Sequence, residues 1–123
     1  MANQVTAADP TYVQFFIEAG QTLSNKRAVR GRVWGLELPV GMATSAALTF
    51  RASTIFATTT YTTIEDSAQA TKTTRTISST NLGTGAPRYF PLSLNDWGCV
   101  EFLQIEASVA QATRVEIRII LAG

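Results

Sequence analysis

Apolar and polar side chains alternate without interruption near the end of the chain, from Arg114 to Leu121. The aliphatic positions are Val115, Ile117, Ile119 and Leu121, and the charged positions are Arg114, Glu116 and Arg118. A helix would scatter these aliphatic residues around its axis, whereas a strand places all of them on one face. The pattern therefore predicts a strand with one buried face and one face in water.

The run from Val100 to Ala107 repeats this pattern, with Leu103, Ile105 and Ala107 predicted to face inward. It is the neighbour in sequence of the last strand, and an antiparallel pair is one arrangement for the two. Similar runs predict four earlier strands, at Tyr12 to Ile17, Val33 to Leu38, Ala46 to Ser53 and Arg88 to Leu92.

Two of these strands have a clear inward face. Trp34, Leu36 and Leu38 alternate on one side before Pro39 ends the strand, and Leu48 and Phe50 do so in the next one. We therefore expect all five side chains in the core.

The segment from Thr54 to Thr84 is rich in Thr, Ser and Ala and has few large apolar residues. β-branched Thr favours strands over helices, so short and partly exposed strands are expected near Tyr61 to Glu65 and Thr73 to Ile77. A mobile insertion is the alternative.

About eight short strands and no helical pattern predict an all-β fold, an antiparallel β-sandwich of the jelly-roll type. The 123 residues suit a single domain, residues 1–123. The polar stretch Met1 to Thr11 is predicted to form either an extended N-terminal arm, which could lie on an adjacent subunit, or a loose terminus. The sequence pattern leaves the strand order open.

The composition argues against most catalytic chemistry. Histidine is absent, which excludes the Ser-His-Asp triad, the Cys-His pair and every His-containing metal site. The single cysteine, Cys99, is interpreted as a small buried hydrophobe. We expect no enzymatic activity, no catalytic residues, no metal and no cofactor.

The charge and the hydropathy of the chain argue against nucleic acids and membranes as partners. Only 15% of the residues are charged and the formal net charge is +1, which does not favour nucleic-acid binding. The chain shows neither a signal-peptide pattern nor a stretch of the ~20 apolar residues that span a membrane. No membrane or nucleic-acid partner is predicted.

Carboxylates still permit some chemistry, since glycoside hydrolysis needs two of them across a cleft. Four acidic residues fall at outward strand positions, where they are interpreted as solubilising charges: Glu37, Glu101, Glu106 and Glu116. The pair Glu65-Asp66 could sit in a calcium loop, but without further ligand spacing a plain turn is preferred.

Basic residues gather in one short stretch, at Lys26, Arg27, Arg30 and Arg32. This cluster either docks on an acidic protein surface or on phosphate, or forms a solvated loop before a strand. Phe102 is a large apolar group on the otherwise polar face of its strand, and such groups are usually covered by a partner. These five residues are the predicted interface with a partner protein or with another subunit.

Aromatic residues near the end of the predicted sandwich offer a second candidate surface. Trp97, Tyr89 and Phe90 would form either a sugar-stacking platform or the end of the core, and we favour the core.

The segment Leu36 to Ser53 reads Leu-Glu-Leu-Pro-Val-Gly-Met-Ala-Thr-Ser-Ala-Ala-Leu-Thr-Phe-Arg-Ala-Ser. It resembles a segment of small structural proteins encoded among the virion genes of tailed bacteriophages. Similar to their C-terminal half are Tyr89, Pro91-Leu92, Val100 to Ile105, Ala110-Gln111-Ala112 and Ile117 to Leu121. Together these segments cover about half of the chain.

The resemblance implies a jelly-roll-like decoration or cement protein, which is made in the host cytoplasm and stabilises the exterior of the capsid. Its partners would be the major capsid protein and further copies of itself, as a homotrimer. The alternative is a glycan- or receptor-binding module of a head fibre or tail on the same fold, which would depend on Trp97 or Tyr89.

Overall fold

A computed structural model describes residues 12–42, 44–66, 73–74, 76–77, 86–92 and 97–122. Eleven strand segments lie within these ranges, and Trp97 is their only helical residue. The strands are β1 (Tyr12–Ile17), β2 (Arg27–Ala28), β3 (Val33–Leu38), β4 (Leu48–Ser53), β5 (Thr62–Thr63), β6 (Glu65–Asp66), β7 (Thr73–Thr74), β8 (Thr76–Ile77), β9 (Arg88–Pro91), β10 (Phe102–Ala107) and β11 (Val115–Leu121).

The strands form two antiparallel sheets and a small ribbon. The front sheet has the order β1-β11-β3-β9, and the back sheet has the order β2-β10-β4-β5, with β8 also paired to β4. The ribbon joins β6 to β7. The predicted all-β sandwich of about eight strands is confirmed.

The strand order is that of a jelly roll. The pairs β1–β11, β2–β10, β3–β9 and β4–β5 are those of one long antiparallel hairpin. Rolling that hairpin up places its successive pairs alternately in the two sheets. The sandwich therefore exposes two outer faces, which we call the front face and the back face after their sheets.

The two C-terminal strands have the predicted faces, but their arrangement as an antiparallel pair is wrong. They lie in opposite sheets, where β11 sits between β1 and β3 and β10 sits between β2 and β4. These central positions suit the longest alternating runs, because a central strand packs against a neighbour on both sides and buries its inner face completely.

The core fills the space between the sheets. Its largest side chain is Trp97, which is 1% exposed and meets Phe50 edge to face, with ring centroids 5.0 Å apart. The predicted inward residues of β4, β10 and β11 are buried there, except that Leu121 is only partly covered.

Trp34 contradicts the predicted inward face of β3, because it is 57% exposed. The cause is a β-bulge: Gly35 lies opposite Ile120 and Val33 lies opposite Leu121, so Trp34 is an extra residue in its strand. Two residues then oppose one on the partner strand, and the inward sequence resets. Leu36 remains buried as predicted, together with Leu38.

Two outward backbone groups of the edge strand β1 are bound by side chains, one from the segment before β2 and one from β2 itself. The Asn25 Oδ1 atom accepts a hydrogen bond of 2.8 Å from the Phe16 N–H, and the Arg27 guanidinium donates one of 3.2 Å to the Gln14 carbonyl. Such blocking protects a free strand edge against pairing with another chain.

Gly31 is required by the close approach of two loops. Its φ is +69°, and a Cβ at this position would lie 2.3 Å from the carbonyl oxygen of Gly98. Gly20 has a φ of +78° but has open space around the same position. A side chain at either position would strain the backbone, but only a side chain at Gly31 would also clash with a neighbouring loop.

The Thr-rich stretch forms short strands near both predicted positions, as β5 and β6 and as β7 and β8, whereas residues 54–61 form a loop. The predicted arm, Met1 to Thr11, lies outside the described residues.

Candidate interface surfaces

The four basic residues at 26–32 separate into two groups. The Lys26 ammonium donates a hydrogen bond to the Thr58 carbonyl and lies 4.8 Å from the centroid of the Tyr61 ring. The Arg30 guanidinium lies 5.1 Å from the centroid of the Phe102 ring. The structure therefore brings Lys26 and Arg30 to the back face.

The other two basic residues bind backbone carbonyls elsewhere. Arg27 closes the edge of β1, and the Arg32 Nε donates a hydrogen bond of 2.8 Å to the Ala122 carbonyl. The cluster is thus neither a uniform solvated loop nor one continuous cationic surface.

Phe102 lies at the centre of an aromatic group that we call the back-face patch, formed by Arg30, Ile55, Phe56 and Phe102. The rings of Phe56 and Phe102 are 5.5 Å apart in an edge arrangement. Ile55 is 63% and Phe56 is 51% exposed, whereas Phe102 is half-buried beneath its neighbours. The patch is therefore an apolar surface next to one cation, the Arg30 guanidinium.

The loop that follows β4 holds this patch in place. The Ser53 hydroxyl accepts a hydrogen bond from the Ile55 N–H and donates one to the Ile55 carbonyl. The Tyr61 hydroxyl donates one of 3.0 Å to the Phe56 carbonyl, and burial raises the pKa of this hydroxyl. Because Ser53 lies directly opposite Phe102 in the sheet, the loop folds back over that residue.

Arg30 is held over the Phe102 ring by an acidic neighbour. Its guanidinium forms an ion pair of 2.6 Å with Glu101, and both side chains remain substantially exposed. Exposed pairs of this kind add little stability, about 0–1 kcal/mol. The ion pair with Glu101 therefore orients the Arg30 guanidinium and leaves it exposed to solvent.

The front face carries three well-exposed aromatic side chains: Tyr12, which is 49% exposed, Trp34, and Tyr89, which is 60% exposed. Tyr12 lies on β1, Trp34 on the bulge of β3 and Tyr89 on β9, so the rings are spread over the width of the sheet. This set is a second candidate interface.

A hydrogen-bonded polar strip lies beside Tyr12 and Trp34 on the front sheet. It follows the registered positions Gln14, Arg118 and Glu37, which lead to Tyr89. Glu116 accepts hydrogen bonds of 2.8 Å from the Gln14 side-chain amide and from the Arg118 Nε. Arg118 also lies 3.7 Å from a Glu37 oxygen and 5.2 Å from the centroid of the Tyr12 ring. These contacts fix the orientation of every polar group in the strip.

The strip changes the titration of its members. Hydrogen bonds from Arg118 and then Gln14 lower the pKa of Glu116, and the hydrogen bond to Glu116 raises the pKa of Arg118. The carboxylate and the guanidinium both stay charged at neutral pH.

A depression of about 380 Å³ opens at one end of the front face. Phe16, Val40, Arg114 and Glu116 contribute to its lining. The Arg114 guanidinium stacks 3.8 Å from the centroid of the Phe16 ring and pairs with Glu18 at 3.1 Å. The depression is therefore continuous with the polar strip through Phe16 and Glu116.

The structure decides between the two interpretations of Trp97, Tyr89 and Phe90. Trp97 is a core residue and Phe90 packs against the core from β9, as the favoured interpretation predicts. Tyr89 contradicts it, because its ring is exposed on the front face. A stacking surface built on Trp97 is excluded by its burial.

Two other predictions concern Cys99 and the outward acidic residues. Cys99 is exposed, so its interpretation as a buried hydrophobe is wrong. The acids at the four outward strand positions are half-buried, and each forms an ion pair with an arginine. Within the described ranges, no group of acidic or cysteine side chains is arranged to hold a metal ion, and no helix is long and apolar enough to cross a membrane.

Sequence reasoning identified Phe102 but missed Trp34, Ile55 and Phe56. Trp34 fits the inward alternation of its strand, and only the bulge places it outside. Ile55 and Phe56 lie in the Thr-rich segment, where they are the only adjacent pair of large apolar residues. This adjacent apolar pair is the feature of the sequence from which the patch could have been predicted.

Comparison with known proteins adds no relative: no protein-family profile, no curated protein and no solved structure matches this chain.

Proposed function

We propose that this chain is a non-enzymatic structural protein of a tailed-phage virion, which binds the outer surface of the capsid and stabilises it. Its partners are the major capsid protein and two further copies of itself in a homotrimer. The proposal starts from the resemblance of Leu36 to Ser53 and of the C-terminal segments to such proteins. The jelly-roll strand order is the fold that this resemblance implies.

The observation that carries the proposal is the back-face patch. Ile55 and Phe56 are adjacent and exposed, and their backbone groups are hydrogen-bonded to the side chains of Ser53 and Tyr61. Aromatic side chains and arginine are the residues most enriched at the energetic centres of protein interfaces. An ordered apolar patch with one oriented guanidinium fits a protein partner better than it fits bulk water.

Charge indicates what kind of protein surface fits the patch. Lys26 and Arg30 stand against one carboxylate, Glu101, so this part of the back face is cationic. We expect an acidic and partly apolar area on the major capsid protein as its counterpart.

The test is co-sedimentation with undecorated capsids of the same virus. Phe56→Ala removes exposed apolar surface from the patch without touching the core, and we expect it to weaken binding about tenfold or more. Tyr89→Ala is the matched control, because it removes a similarly exposed ring from the front face. Equal binding by the Phe56→Ala variant and the wild type would refute the assignment of the patch.

A second pair of variants tests the electrostatic part. Arg30→Gln is expected to reduce capsid affinity and its dependence on salt, since Arg30 is oriented on the patch. Arg32→Gln is the control, because Arg32 binds the Ala122 carbonyl away from the patch. A salt dependence that both variants change equally would assign the effect to net charge alone.

A further inference from the structure

We propose that the front face is a binding platform for a neutral polysaccharide, a ligand distinct from the capsid surface assigned to the back face. The three exposed rings, the polar strip beside them and the depression at its end form the platform. This inference does not depend on capsid binding.

The rings are placed as a ligand of several sugar units requires. Tyr12, Ile120 and Gly35 are in register across three strands, and Trp34 precedes Gly35 on the bulge. With neighbouring strands about 4.8 Å apart, the backbone of the bulge lies about 10 Å from the backbone of Tyr12. Tyr89 stands on the next strand beyond β3, so the rings extend across the whole sheet.

Aromatic faces and planar polar side chains are complementary to the two kinds of surface on a sugar. The C–H groups on one side of a pyranose ring pack on an aromatic face, while its hydroxyl groups both donate and accept hydrogen bonds. Gln14, Glu37, Glu116 and Arg118 supply the acceptors and donors in the strip. Because these four are already bonded to one another, little side-chain freedom is lost on binding.

The charges of the face select a neutral ligand. Three carboxylates, those of Glu18, Glu37 and Glu116, stand beside two guanidiniums, those of Arg114 and Arg118, and each guanidinium is paired with a carboxylate. Among the described side chains of the strip and the depression, an acidic polysaccharide would meet no unpaired guanidinium and one more carboxylate than guanidiniums. A neutral chain meets no such penalty.

The depression gives the platform an end. Its volume of about 380 Å³ is at the small end of the range for ligand pockets and suits a single terminal sugar unit. Phe16 provides an apolar wall, stacked beneath Arg114, and Glu116 connects it to the polar strip.

The experiment is affinity gel electrophoresis of the full chain against neutral polysaccharides (dextran, glucomannan and galactan) and acidic ones (alginate and polysialic acid). We expect at least one neutral polymer to retard the protein. Trp34→Ala and Tyr89→Ala should each weaken that retardation about tenfold, whereas Phe56→Ala on the back face should leave it unchanged.

Tryptophan fluorescence provides an independent readout in solution. The chain has two tryptophans, of which Trp97 is buried and Trp34 is exposed, so ligand-dependent protection from acrylamide quenching reports on Trp34. The signal should disappear in Trp34→Phe while that variant keeps part of its retardation in the gel.

Three outcomes would overturn the proposal: no retardation by any neutral polymer, retardation by acidic polymers alone, or retardation that the front-face variants do not change. A fall in the oligomer mass of the Trp34→Ala and Tyr89→Ala variants would also overturn it, because the face would then be covered by a second copy. The two assays share variants in opposite roles: capsid binding should depend on Phe56 and not on Tyr89, whereas retardation should depend on Tyr89 and not on Phe56. The two proposals can therefore fail separately.

Discussion

Replacement of Trp97 by alanine tests the account of the core, because Trp97 is its largest side chain and is 1% exposed. A buried aromatic side chain of ~200 Å² contributes about 5 kcal/mol at ~25 cal/mol per Å². Its edge contact with Phe50 adds about 0.5–1.5 kcal/mol. Partial relaxation around the cavity brings the expected loss to about 3–5 kcal/mol.

The matched control is Trp34→Ala, which removes the same side chain from an exposed position. We expect it to change the free energy of unfolding by about 0.5 kcal/mol or less. Urea unfolding followed by far-ultraviolet circular dichroism measures both variants without relying on tryptophan fluorescence. With a slope of about 2 kcal/mol per M, Trp97→Ala should lower the urea midpoint by about 2 M.

Trp97→Phe keeps the experiment informative if the alanine variant does not fold. It retains a ring against Phe50, so its loss should be less than half of that of Trp97→Ala. Similar losses for Trp97→Ala and Trp34→Ala, or a larger loss for Trp34→Ala, would refute the assignment of one tryptophan to the core and the other to the surface.

Three further predictions concern the scaffold. Gly31→Ala should lower the free energy of unfolding by about 3 kcal/mol or more, and Gly20→Ala by only about 1 kcal/mol. Both variants strain a backbone of positive φ, but only Gly31→Ala adds a steric clash, so equal losses would contradict this prediction. Glu116→Gln should destabilise the fold at pH 7, because the pKa of Glu116 is lowered in the folded state and its carboxylate therefore stabilises the fold above pH 4.5. The carboxylate loses this contribution as it protonates below pH 4.5, so the difference between variant and wild type in urea unfolding should be smaller at pH 3 than at pH 7. Asn25→Ala combined with Arg27→Ala should raise the solution mass with concentration, measured by light scattering, because the edge of β1 becomes free to pair; an unchanged mass would refute that role.

The alternation of side chains predicted most of the fold, because a period of two identifies both a strand and its buried face. β10 and β11 show this best, since every inward position predicted for them faces the core side. The pattern failed at Trp34, where one extra residue reversed the alternation. A bulge depends on the partner strand, and a single strand's pattern carries no record of it.

Strand partners were also beyond local reasoning. β10 and β11 are adjacent in sequence but lie in different sheets, because the rolled hairpin pairs each with strands from the first half of the chain. Among the candidate site residues, Arg30 and Phe102 are brought together, whereas Arg27 and Arg32 are not. Each basic residue lies where its side chain can bind a backbone carbonyl or contact an aromatic ring. The positions of these partners depend on the fold and cannot be read from the cluster of basic residues in the sequence.

The heat stability of undecorated capsids, measured with and without a saturating amount of the purified protein, tests the proposed function most directly. We expect the wild-type protein to sediment with the capsids in multiples of three per binding site and to raise the temperature at which they open. The Phe56→Ala variant should do neither at the same concentration. Capsids that open at the same temperature, with the wild-type protein left in the supernatant, would contradict the proposed function.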